Sequence, residues 1–111
     1  MDQPRLCDRT CVPCRGGIPP LTSEAIAPLM AQVPAWTLAD DGLSIARAWK
    51  FKTYKEAEAF VLKIGEIAEA EGHHPDVEFG WGYARVKLWT HAIKGLHEND
   101  FIVAAKIETL L

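Results

Sequence analysis

His73, His74 and His91 are the residues of this 111-residue sequence whose type and spacing can do chemistry. They are three of its four histidines and fall within residues 73–91, among the carboxylates Glu71 and Asp76. Imidazole is the side chain whose unperturbed pKa lets it both give and accept a proton near neutrality. A cluster of three has two chemical uses. It can hold zinc with a position left for water. It can also move protons in a metal-free pocket, with a carboxylate such as Glu71, Asp76 or Asp100 orienting the rings and fixing their tautomers. The spacing matches none of the common zinc patterns, and adjacent histidines rarely reach one ion without a bend. Residue chemistry alone leaves both uses open.

Elements on either side must place the rings. Thr53-Tyr54-Lys55-Glu56 reads as a capping box, with the Thr53 hydroxyl accepting the Glu56 amide proton and Glu56 reaching back. Ala57, Phe60, Val61, Ile64 and Ala68 follow at helical spacing to about Glu71, where Gly72 is a natural stop. The doublet therefore follows a helix end. Pro75 biases His74 towards extended backbone, so the two rings leave a stiffened corner in different directions. Asp76–Phe79 and Tyr83–Thr90 alternate around Gly80-Trp81-Gly82 and read as a hairpin with Ala84, Val86, Leu88 and Thr90 on one side. Alternation puts His91 on the face opposite Thr90, at a strand end beside the corner.

Upstream, Thr22 or Ser23 caps a short helix running to about Gln32, with Pro28 tolerated only in its first turn. Val33-Pro34 ends that helix. Ala35–Leu38, the turn Asp40-Asp41-Gly42 and Leu43–Phe51 form another hairpin, with Leu43, Ile45, Arg47, Trp49 and Phe51 on one face. Arg47 interrupts this apolar face, so solvent or an acidic partner is expected there. Downstream, His97-Glu98-Asn99-Asp100 opens a last helix through Leu111, although His97 stands where Ser, Thr or Asp is the usual cap. The order helix-strand-strand-helix-strand-strand-helix implies an α+β fold: a four-stranded antiparallel sheet with helices packed on one face. Residues 21–111 are expected to be a single domain. Residues 1–20, rich in Cys, Pro and Gly, read as an extended arm.

A net charge of −3 and a pI near 5.8 argue against a phosphate-binding nucleic-acid surface. No apolar run approaches membrane-spanning length, and no apolar h-region follows Met1, so no membrane partner is expected and the cytoplasm is the expected compartment. Cys7, Cys11 and Cys14 are all the cysteines. An odd number fits a disulfide framework poorly. Their spacing matches the iron–sulfur signature of radical S-adenosylmethionine enzymes, which need a far larger domain, so reduced surface thiols on a mobile arm are expected. A chain this short can cover leftover apolar surface by self-association.

The run Glu71-Gly72-His73-His74-Pro75-Asp76, then Tyr83-x-x-Val86-x-Leu88-x-Thr90-His91 and Gly95-Leu96, resembles the signature of the pterin-4a-carbinolamine dehydratases. The resemblance extends to Trp36, to Phe51 with its capped helix, and to Asn99-Asp100-Phe101 and Ala104-Ala105-Lys106-Ile107, covering roughly residues 20 to 110. Cys14-Arg15-Gly16-Gly17 with Pro19-Pro20-Leu21-Thr22 resembles the start of bacterial members. It implies a metal-free hydro-lyase that removes water from a 4a-hydroxytetrahydropterin to give the quinonoid dihydropterin, with the pterin as substrate and no cofactor. It implies that His73, His74 and His91 line the pocket and carry acid/base work. Glu71, Pro75, Trp81 and Asp100 are the substrate-binding candidates read from the residues themselves, Asp100 as support for a histidine and Trp81 as a face for a flat heterocycle. A homodimer or homotetramer is expected, serving an aromatic amino acid hydroxylase. The alternatives are a non-catalytic dimerisation or binding module, a role in molybdopterin metabolism, and more remotely a metal-dependent hydrolase or a thiolate metal protein using the arm.

Overall fold

The computed structural model describes residues 5–13 and 16–111; Cys14, the third thiol of the arm, lies outside the described residues. Among the described residues, three α-helices and four strands follow in the expected order: α1 (Ser23–Met30), β1 (Thr37–Leu38), β2 (Ile45–Lys50), α2 (Tyr54–Glu71), β3 (Asp76–Gly80), β4 (Tyr83–Leu88) and α3 (Glu98–Glu108). The sheet is antiparallel with strand order β1-β2-β4-β3. Register pairs Ile45 with Leu88, Trp49 with Ala84 and Val86 with Val77, so the alternating apolar residues share the face the helices cover. The opposite face carries the exposed Ala46, Ala48, Arg85 and Lys87.

The core lies between that face and the helices. Ile64 and Ala68 of α2, Phe101, Val103 and Ile107 of α3, and Ile45, Val86 and Leu88 of the sheet are fully or almost fully buried. Each large apolar side chain contributes about 1.5–3 kcal/mol by leaving water. Trp36, Trp49 and Phe60 meet edge to face, with centroids 5.8 and 4.8 Å apart. Arg47 finds the acidic partner its position called for. It pairs with Glu108 of α3, whose Oε1 also accepts the Trp36 indole N–H at 2.7 Å.

The caps decide where the helices end. Thr53 Oγ1 accepts the Glu56 amide at 3.1 Å, but Glu56 reaches the amide of Lys52 rather than that of Thr53. Gly72 closes α2 in the left-handed region, at φ 64°. His97 does cap α3: its Nδ1 accepts the Asn99 amide at 2.9 Å, supplying the acceptor that a hydroxyl or carboxylate usually gives. Pro28 departs from expectation. It lies in the second turn of α1, where its missing N–H leaves the carbonyl of the exposed Glu24 to solvent.

The described part of the arm around residues 6–12 is docked, and the expectation of mobile surface thiols does not describe Cys11. Leu6, in a 3-10 turn at Leu6–Asp8, is buried in the core. The Cys11 amide donates to Glu71 Oε1 at 2.8 Å, and the Asn99 side chain clamps Val12 by accepting its amide proton at 3.0 Å and donating to its carbonyl at 2.6 Å. Cys11 is half-buried, and burial first, then the Glu71 charge, pushes its thiol up to about 12. Such a thiol is a poor nucleophile.

Glu71 is the reciprocal case. The Cys11 amide, against an opposing effect of burial, and then Lys106 at 3.3 Å hold its carboxyl below the ordinary value of 4.5. A lowered folded-state pKa contributes stability that is present above 4.5 and lost as pH falls through the folded value. The urea midpoint of the wild type is therefore expected to fall more steeply below pH 4.5 than that of Glu71→Gln. Parallel pH profiles for the two proteins would remove Glu71 as an acid-sensitive anchor of the arm.

Candidate active site

The corner between α2 and β3 and the loop after β4 place the histidines. His73 and His74 follow the left-handed turn at Gly72, and the His73 amide donates back to the Ala68 carbonyl at 3.2 Å. Beyond β4, Thr90 pairs with Gly95 in an isolated bridge that folds residues 91–94 into a tight turn. The two segments face each other across a cavity of about 280 Å³, lined by all three histidines together with Trp89, Thr90, Val12 and Asn99. Small-molecule sites usually start near this size, about 300 Å³. A larger apolar cavity of about 790 Å³ along α2 and β3 touches only His74 of the three.

The three imidazoles differ in their surroundings. His73 is 12% exposed, and its Nε2 stands 2.6 Å from Oδ1 of Asp100. Asp100 has no exposure, and its other oxygen accepts from the Thr90 hydroxyl at 2.8 Å and the His97 amide at 3.0 Å. With Asp100 as carboxylate and the ring neutral, Oδ1 accepts the proton on Nε2, which leaves Nδ1 as an acceptor. His91 is exposed and stacks on Trp89, centroids 4.0 Å apart. Trp89 is itself held by its indole N–H on Asp76 Oδ2 at 3.2 Å. His74 is 59% exposed, with Glu69 Oε2 3.5 Å from its Nε2. The three rings thus offer a fixed acceptor, a solvent-connected ring on an aromatic platform, and a freer third ring. Among the described residues, no group of three or more His, Cys, Asp and Glu side chains is placed to hold a metal ion.

The other sequence candidates divide. Asp100 stands directly behind His73 rather than on the cavity wall. Glu71 faces the arm and Lys106. Pro75 lines the larger apolar cavity instead. Trp81 is 73% exposed at the tip of the β3–β4 hairpin, a strand length of about 15 Å from the histidine end. Trp89, Thr90, Val12 and Asn99 line the cavity although sequence reasoning did not choose them. The signal for Trp89 was present, since alternation along β4 sets it beside His91 on the open face.

A family model described as pterin 4 alpha carbinolamine dehydratase matches residues 19–110. A relative from Aromatoleum aromaticum is 57% identical over 102 residues, 92% of this chain and 91% of its own. One from Methylococcus capsulatus is 52% identical over 110 residues, 99% and 96% of the two chains. Both are provisionally named pterin-4-alpha-carbinolamine dehydratases. The crystal structure of a transcriptional coactivator/pterin dehydratase from Brucella melitensis superposes with a TM-score of 0.77 at 27% identity, covering 82% of this chain and 97% of that one. A pterin dehydratase-like protein identified as a RuBisCO assembly factor of the alpha-carboxysome shares the fold at 22% identity, with a TM-score of 0.59 over 68% and 88% of the chains. On this similarity over nearly its whole length, the chain belongs to the pterin-4-alpha-carbinolamine dehydratase family.

Proposed function

We propose that the protein removes water from a 4a-hydroxytetrahydropterin by histidine acid/base catalysis, recycling the pterin used by an aromatic amino acid hydroxylase. The observation that carries this reading is the histidine cavity itself: three imidazoles around a space suited to a small ligand, one backed by a buried carboxylate. In the reaction, the C4a–O bond breaks with its electron pair leaving on oxygen. A protonated imidazole supplies the proton that makes the departing group water, and the nitrogen lone pair at N5 fills the vacancy at C4a. The resulting cation loses a ring-nitrogen proton to a neutral imidazole, giving the quinonoid dihydropterin. One proton is given and one taken, so the site returns to its starting charge once the rings re-equilibrate with solvent.

His73 suits the acceptor role, because Asp100 fixes its tautomer and stabilises the imidazolium it becomes. His91 suits the donor role, being exposed and so able to recover its proton from water. His74 positions the hydroxyl. Self-association through the apolar cavity along α2 and β3, where Leu62 is 65% exposed, belongs to the same reading. The test is to generate the carbinolamine in situ and follow quinonoid dihydropterin with and without the protein. Acceleration of about 10²-fold or more is expected from general acid/base groups. An unchanged rate would remove the dehydratase reading and leave the binding-module alternative.

A further inference from the structure

We propose that a groove beside the histidine cavity binds an oxyanion, phosphate or carboxylate, carried on the side chain of the pterin. The inference rests on the dehydratase reading and names the substrate class of that site. The groove, about 370 Å³, is lined by Lys87, Lys94, His91, Trp89, Ser44 and Asp41 among others. It shares Trp89 and His91 with the histidine cavity, so the stacked pair is a wall common to both spaces. The cavity of about 280 Å³ is small, and the shared wall makes the groove the neighbouring space that the proposal assigns to a substituent on a flat ring held there.

The charges in the groove are poised for an anion. Among the described residues, Lys87 and Lys94 have no carboxylate within ion-pair distance, as is also true of Lys50, Lys52, Lys55 and Lys63, but only these two share a groove. Asp76 stands opposite Lys87 in the sheet register but does not line the groove, and its Oδ2 accepts from the Trp89 indole. Asp41 also lines the groove and keeps its charge while its Oδ1 accepts the Leu43 amide at 2.9 Å, so the lining sets two lysines against one carboxylate. The Lys87 ammonium lies 5.8 Å from the Trp89 ring centre, on the shared wall. Lys94 holds left-handed backbone at φ 52° and ψ 47°, alone in this among the described non-glycine residues. Glycine or asparagine would take that conformation with less strain, and strain tolerated at one residue is a mark of functional sites. Two lysines and the Ser44 hydroxyl around a small open groove, in a chain of net charge −3, form a local site for a negative group.

The test compares stable ligands by calorimetry: 7,8-dihydroneopterin as the neutral probe, its monophosphate, and 7,8-dihydrofolate as the carboxylate probe. At low ionic strength, at least one anionic probe is expected to bind about tenfold tighter than the neutral one, and 1 M salt should erase most of that gain. In Lys87→Gln/Lys94→Gln the ratio of affinities should fall to about one, since both exposed ammonium groups are then gone. Equal affinities for all three probes, or a gain that survives the double substitution, would overturn the proposal. Inorganic phosphate titrated alone is the remaining arm. Much weaker binding than the phosphorylated pterin supports a tethered anion, and equal binding would make the groove a free-anion site and overturn the assignment to substrate. Failure of the dehydration assay would instead strike the reading beneath, so the two failures are separable.

Discussion

Asp100→Asn is expected to leave the protein folded while lowering the dehydration rate by about 10²- to 10⁴-fold, because it reverses the tautomer of His73. The His97 amide and the Thr90 hydroxyl both donate to Oδ2 of Asp100. The amide proton cannot turn away, so the carbonyl oxygen of an asparagine must take that place. Its NH₂ group then faces Nε2 of His73 at the position where Oδ1 stood, 2.6 Å away in the native protein. The ring must accept there and carry its proton on Nδ1, which turns the acceptor presented to the substrate into a donor. The network keeps its partners, so the cost in stability should be about 1 kcal/mol. Asp100→Ala removes the acceptor altogether, orphans the three donors of His73, Thr90 and His97, and should cost about 3 kcal/mol or more. Urea midpoints and single-turnover rates on the three proteins separate the effects. An asparagine variant with full activity would show that Asp100 holds the helix end and does nothing for the reaction.

Replacing His73 and His91 together by alanine should return dehydration to its uncatalysed rate, a loss of about 10²-fold or more. Each residue is tied to one proton in the proposed sequence, so neither alone completes the exchange. His91 is exposed, and its removal should change stability by no more than about 0.5 kcal/mol. A loss of rate in His91→Ala is therefore a catalytic effect. His73→Ala leaves Oδ1 of the buried Asp100 without its partner, a cost of about 1–3 kcal/mol, and His73→Gln serves as the control that still offers a donor. His74→Ala should act mainly on KM, as expected of a group that binds substrate and transition state alike. A double variant with undiminished rate would remove histidine acid/base catalysis from the account.

The residues themselves explain what could be read in advance. Elements whose ends are set by local chemistry were legible: Thr53 and Gly72 bound α2, and the alternation from Tyr83 to Thr90 gave β4 and its buried face. The histidine corner followed from those two elements. What failed was the step from neighbourhood in sequence to neighbourhood in space. Glu71 is two residues from His73, yet the helix ends with its carboxylate turned to the arm. Trp81 belongs to the same hairpin as Trp89, but a full strand carries it to the far end of the sheet. Val12 and Asn99 were unreadable because their contact spans 87 positions and rests on one amide matching one peptide group. Pro28 shows the opposite limit: an eight-residue exposed helix tolerates a lost hydrogen bond that a buried one would not.

The first turn of α3 also bears on the order in which the chain assembles. Asn99 binds Val12 across 87 residues, Glu71 binds Cys11 across 60, and Asp100 binds His73 across 27. Loop-closure entropy grows with such separations, while the β3–β4 hairpin and α2 need only near neighbours. The scaffold is thus expected to form first and the arm to seat last. Folding would then finish at the pocket wall, with Leu6 of the arm completing the hydrophobic core as it seats.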